Sequence, residues 1–121
     1  MAESIKRISI LAAILANGGI TVRVPTMRAT NPRRGYAVGA TQQTFTMLPV
    51  ATATESDVRR AMLTAAAAHG TRYAGAWIDG EWIHVDPTAI VRTKRDAIAL
   101  GRENRQRAIR DFANAADIAI A

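Results

Sequence analysis

Two runs that alternate between apolar and polar positions meet at Asp79-Gly80 within Tyr73 to Asp86, YAGAWIDGEWIHVD. Alternation with period two marks a strand with one face on a core. An Asp-Gly pair between such runs predicts a hairpin, because a type I′ turn needs positive φ at both central residues. With Asp79-Gly80 as the turn, Ile78 faces Glu81, Trp77 faces Trp82, Gly75 faces His84 and Tyr73 faces Asp86. One face then collects Tyr73, Trp77, Trp82, His84 and Asp86; the other collects Ala74, Ala76, Ile78, Ile83 and Val85. A three-residue loop with a bulge would shift the register by one and mix the two sets.

Elsewhere the apolar period lengthens. Ile5, Ile8, Leu11, Ala12 and Leu15 share one helical face within 4–16, with Ser4 as N-cap and Gly18 as stop. Thr54-Glu-Ser-Asp57 is a box-like cap with Asp in place of the usual Glu. It opens a helix to about Ala68, buried along Val58, Met62, Ala65 and Ala66 and ended by Gly70. Thr93-Lys-Arg-Asp96 repeats the cap and opens a helix through about Arg105. Ile20–Val24 alternates as a strand that stops at Pro25, residues 25–34 read as a loop, and Tyr36–Gly39 and Thr44–Leu48 lean towards β. Asp86-Pro87 closes the hairpin, and Ala89–Val91 forms a further short extended piece. Near the C-terminus, Ile109, Phe112, Ala113 and Ala116 fit one long helix, while Gln106 to Phe112 also fits a strand. The whole reads as a single α+β domain over 1–121. Its sheet is mainly antiparallel, with a central Asp-Gly hairpin and about three helices packed on it.

Composition narrows the classes. A chain of 121 residues can bury enough surface for a core without staples. Without cysteine it has neither disulfides nor thiolate metal sites. No apolar run reaches the ~18 residues of a membrane span. The opening MAESIKRISILAAILANGG mimics a signal peptide, but its apolar run is short and Asn17-Gly18-Gly19 is a poor cleavage site. A helix with a glycine stop, in a cytoplasmic protein, is the expectation. The 25 Ala and the 14 Arg against 2 Lys are what a GC-rich genome writes. The net charge of +6 is uneven: residues 1–53 carry +5 and residues 54–121 carry +1. Such a field favours acidic partners, either nucleic acid or an acidic protein face.

Three constellations are candidates for function. Tyr73, Trp77, Trp82 and His84 make an aromatic surface with a polar edge, suited to stacking bases or anchoring a protein partner. The alternative is a second core layer under a helix or loop. Arg23, Arg28, Arg33 and Arg34, with Tyr36 beside them, suit phosphate and base contact; a solvated basic loop is the plainer account. His84 and Asp86, spaced i, i+2, point the same way and could orient an imidazole for base chemistry. A hydrolytic metal site needs about three protein ligands, and His69 at a helix end is the remaining histidine. No GxSxG, P-loop, HExxH or dinucleotide fingerprint is present. No catalytic residue, metal ligand or cofactor is therefore assigned.

Three pieces in order carry a family resemblance. They are Gly35-Tyr-Ala-Val38 after a Pro-rich approach, the Trp hairpin ending in Val85-Asp86, and the capped helix leading into Arg102-Glu-Asn-Arg-Gln-Arg-Ala-Ile-Arg-Asp111. Over about 85 residues the chain resembles small uncharacterised proteins of actinobacterial phages and mobile elements. The resemblance implies a phage origin, a host-cytoplasm setting and a strand at Gln106–Phe112. It brings no active-site residues. The resulting expectation is a non-enzymatic phage-type accessory protein that binds a host macromolecule, such as a host enzyme or defence system that it inhibits. A basic nucleic-acid-binding protein using segment 23–34 is the alternative, and a small enzyme using His84 and Asp86 a third. Homo-oligomerisation is left open.

Overall fold

A computed structural model describes residues 9–42 and 45–120 of the chain. In chain order it contains α1 (Ile10–Asn17), β1 (Gly19–Arg23), β2 (Arg28–Ala29), β3 (Tyr36–Gly39), β4 (Thr46–Pro49), α2 (Glu55–His69), β5 (Tyr73–Asp79), β6 (Trp82–Val91), α3 (Lys94–Glu103), β7 (Ala108–Asp111) and β8 (Ala116–Ala119). The strands form one eight-stranded sheet in the order β2-β1-β5-β6-β3-β7-β8, with β4 paired to β6 on the same side as β3. Every pairing is antiparallel. This is the expected α+β class, a mainly antiparallel sheet with three helices among the described residues.

The helices share one face of the sheet, and β6 explains how. Its odd-numbered residues Ile83, Val85 and Val91 all face the helices. Ile83 and Val85 enter a cluster with Ile10 and Ile14 of α1 and Val58 and Met62 of α2. Val91 packs on a second cluster of Val38, Ala97 and Ile109 beneath α3. Gly101 lets α3 come close. A Cβ there would meet the side chains of Ile120, Ile109 and Val38.

Helix α2 follows its sequence signals. The Asp57 N–H donates to Thr54 Oγ1 (3.1 Å), and the Thr54 N–H donates to Asp57 Oδ2 (3.0 Å). Helix α1 departs from them. Its N-cap is Ser9, so the described helix begins at Ile10; the Ser4 cap and the positions Ile5 and Ile8 lie outside the described residues. The buried pair is Ile10 and Ile14, while Leu15 is exposed. Glu55, distant in sequence, fixes this start. Its carboxylate accepts from the Ile10 N–H (3.0 Å), the Leu11 N–H (2.8 Å) and Ser9 Oγ (3.1 Å), and Arg59 Nε lies 2.7 Å away. Burial works to raise the Glu55 carboxyl, but the Leu11 and Ile10 N–H groups, with Arg59 and Ser9, outweigh it and hold it below the ordinary value.

The β5–β6 pair forms, but not with Asp79-Gly80 in its turn. Asp79 is the last residue of β5 and pairs with Trp82, so the two-residue turn is Gly80-Glu81. Only Gly80 has positive φ (61°), which fits a turn with glycine at its first central position rather than a type I′ turn. Opposed residues move by two, an even number. Both faces therefore keep the membership expected of them.

Three further corrections concern strand ends. Asp86-Pro87 does not close the hairpin, because β6 runs on to Val91. Pro87 O accepts from the Ala40 N–H, and a strand residue's N–H and C=O point to the same side. The missing N–H thus faces the gap where β6 exchanges β4 for β3, and no ladder bond is lost. Segment 25–34 is not wholly loop, since Arg28–Ala29 pairs with β1. After the strand at Ala108–Asp111, the chain turns back as β8. Asp111 builds that turn by accepting from the Ala113 N–H (3.0 Å) and Asn114 Nδ2 (2.8 Å).

Candidate docking face

The face opposite the helices is ordered in rows by the register. Arg28 of β2 lies directly across from Arg23 of β1, and Arg23 across from Tyr73 of β5. The next row holds Thr21, Gly75 and Asp86. The third holds Gly19, Trp77, His84 and Met47. Asp79, Trp82 and Pro49 form the fourth, at the hairpin tip. Trp77, Trp82 and Met47 remain 39%, 42% and 45% exposed. On the helix side of the same strands, Ile83 and Val85 are fully buried. The two tryptophans and Met47 thus stand at the surface on this face, while Asp86 and Thr88 beside them are buried.

Trp77 is fixed from two directions. Its ring stacks on the His84 imidazole at 4.2 Å between centroids and 9° between planes, and Nε1 donates to Asp86 Oδ2 (3.4 Å). On its other side the neighbour in register is Gly19, which has no side chain. One face of the indole is covered, while β1 places no side chain in register against the other. Between Trp77 and Tyr73 lies Gly75, with Thr21 beside it and the Thr88 hydroxyl close over it. A Cβ at 75 would lie 2.8 Å from Thr88 Oγ1, so a larger residue there would displace the Thr88 hydroxyl.

His84 and Asp86 share the face but are engaged elsewhere. Asp86 Oδ1 accepts from the Phe45 N–H (2.8 Å) while Oδ2 accepts from Trp77. Burial pushes the Asp86 carboxyl above its ordinary value, against these two hydrogen bonds and the nearby His84. The His84 side chain is 12% exposed, and its Nε2 lies 3.9 Å from Asp79 Oδ2. Both oxygens of Asp86 therefore serve the packing of Trp77 and Phe45. His69 lies in the last turn of α2 with its ring edge-on to Phe45. Among the described residues no group of three His, Asp or Glu side chains is placed to hold a metal.

The arginine cluster is split by the fold. Arg23 and Arg28 stand in register on adjacent strands, and among the described residues neither makes an ion pair. Like charges directly opposed are unfavourable. Arg72 is exposed beside them, its carbonyl accepting from the Val24 N–H. Arg33 and Arg34 are exposed in the connection to β3. Tyr36 is not a ring of this surface, because it packs beneath α3 against the cluster of Val38, Ala97 and Ile109. Tyr73 stands next to Arg23 instead. Arg23 and Arg28 alone of that cluster thereby join the aromatic face. Alternation predicts the aromatic set, but β1 and β5 pair across fifty or more positions of the chain and leave no local signal.

Other surfaces offer less. A shallow groove between β4 and α2 is lined by Thr46, Leu48, Asp57, Arg60, Ala61 and Thr64. The free edge of β4 is blunted by Pro49, which has no N–H and whose carbonyl accepts from the Ala53 N–H. No described helix is long and apolar enough to cross a membrane. Comparison with protein-family models, curated proteins and solved structures finds no match for this chain.

Proposed function

We propose that this chain is a non-enzymatic binding module of phage type, which engages a host macromolecule in the host cytoplasm through the helix-free face of its sheet. The observation that carries the reading is the exposure of Trp77, Trp82 and Met47 together on that face, beside fully buried Ile83 and Val85. Exposed large aromatics grouped on one rigid surface are the usual anchors of an interface. The surplus of positive charge makes an acidic partner surface the favoured complement. Inhibition of the bound host component is the role the phage resemblance suggests. An enzyme built on His84 and Asp86 is disfavoured by the engagement of both Asp86 oxygens.

The test is photo-crosslinking in host extract. A benzophenone side chain at position 82 reports on the docking face, and one at the exposed Leu63 of α2 reports on the helix side. Discrete adducts from 82 and none from 63 are expected. Equal or absent labelling from 82 contradicts the reading.

A further inference from the structure

We infer that the partner of this face is a single-stranded nucleic acid, its phosphates held by Arg28 and Arg23 and its bases stacked on Tyr73 and the open side of Trp77. The inference rests on the binding-face reading and names its ligand. Four observations converge. Arg23 and Arg28 are opposed in register with no ion pair among the described residues, so an anion between them relieves a repulsion that the fold otherwise carries. Tyr73 is the next residue in that row. Along β5 the side chains of this face read Tyr73, Gly75, Trp77, so the two aromatic positions are about 13 Å apart along the backbone with no side chain of β5 between them. Trp77 is held ready by His84 and Asp86, with Gly19 leaving its other side without a side chain in register.

An aromatic platform beside a cationic row is how proteins bind single strands without reading duplex grooves. The direction of the track also follows. Asp79 and Glu81 at the hairpin tip are exposed carboxylates that repel phosphate. The strand therefore runs from Arg28 across Tyr73 to Trp77 and ends beside Trp82 without stacking a base on it. An acidic protein would favour the whole aromatic patch, Trp82 and Met47 included, so the two occupants differ in which tryptophan matters.

The experiment is fluorescence anisotropy with a short fluorescein-labelled oligothymidylate at two salt concentrations. Wild-type protein should bind, more weakly at higher salt. Arg23→Ala with Arg28→Ala should lower the log–log salt slope by about 1.4, at ~0.7 per phosphate contact on a single strand. Arg95→Ala with Arg102→Ala on α3 removes the same charge away from the face, and should change the slope little. Trp77→Ala should weaken binding roughly tenfold or more, Trp77→Phe much less, and Trp82→Ala little. Asp79→Asn with Glu81→Gln should tighten it. Circular dichroism confirms that each variant folds. No binding by wild type, equal effects of the two arginine pairs, a dominant effect of Trp82, or duplex DNA competing as well as the single strand would each overturn the inference. Protein adducts from position 82 without oligonucleotide binding would retain the binding face and reject its assigned ligand. Loss of both signals rejects both.

Discussion

Trp82 and Ile83 are adjacent in one strand, yet one keeps 42% of its surface in water and the other none. The difference is alternation alone: one side of β6 faces α1 and α2, the other faces no helix. Two neighbouring apolar residues thus do different work. Ile83 lends its burial to folding, of order 2 kcal/mol. Trp82 withholds part of that gain, and exposing a large ring costs solubility unless something docks there. The helix side is closed by packing, while the open side has positions without side chains at Gly19 and Gly75 next to rings held in place.

Substitutions on the two sides can break this comparison. The largest effect should come from Ile83→Ala, a loss of about 2–5 kcal/mol by urea unfolding, as for other buried aliphatic truncations. Gly101→Ala should follow at about 1–3 kcal/mol. The added methyl improves helix propensity but meets Ile120, Ile109 and Val38, so overpacking wins. A gain in stability there would mean that α3 sits less closely than described.

Glu55→Gln should cost about 1–2 kcal/mol near neutral pH, because the α1 N–H groups and Arg59 lose a charged acceptor. Its pH signature has a definite sign. The folded Glu55 carboxyl lies below its ordinary 4.5, so its contribution is complete above that value and is lost as pH falls through the lowered one. The variant should flatten the acid limb of the stability profile. Asp86 acts oppositely: with its folded value raised above 3.8, stability declines as pH rises from there through the raised value. Asp86→Asn should remove that small decline. An unchanged profile in either variant would refute the environment assigned to its carboxyl.

Legibility in the sequence followed the range of the interactions. The Thr54–Asp57 box, the stop at Gly70 and the strand at Tyr36–Gly39 are written in neighbouring residues, and the structure places them as read. The faces of the hairpin were also legible, because parity survives a turn that moves by one position. What escaped was set from afar. The start of α1 depends on Glu55, and the passage of β6 through Pro87 depends on a change of neighbouring strand. Strand β8 follows an Ala-rich run whose spacing also suits a helix. It becomes a strand because Asp111 turns the chain and β7 offers an edge. Tyr36 was placed beside the arginines by proximity in sequence, whereas its strand position turns it under α3.

The central claim is that the open side of the sheet is surface rather than core. Chemical unfolding of Trp82→Ala, measured beside Ile83→Ala, tests it most directly. The account predicts that Trp82→Ala loses about 1 kcal/mol, well under half the loss at Ile83, with an unchanged denaturant slope. A loss at Trp82 as large as that at Ile83 would make this ring part of the core and contradict the docking face.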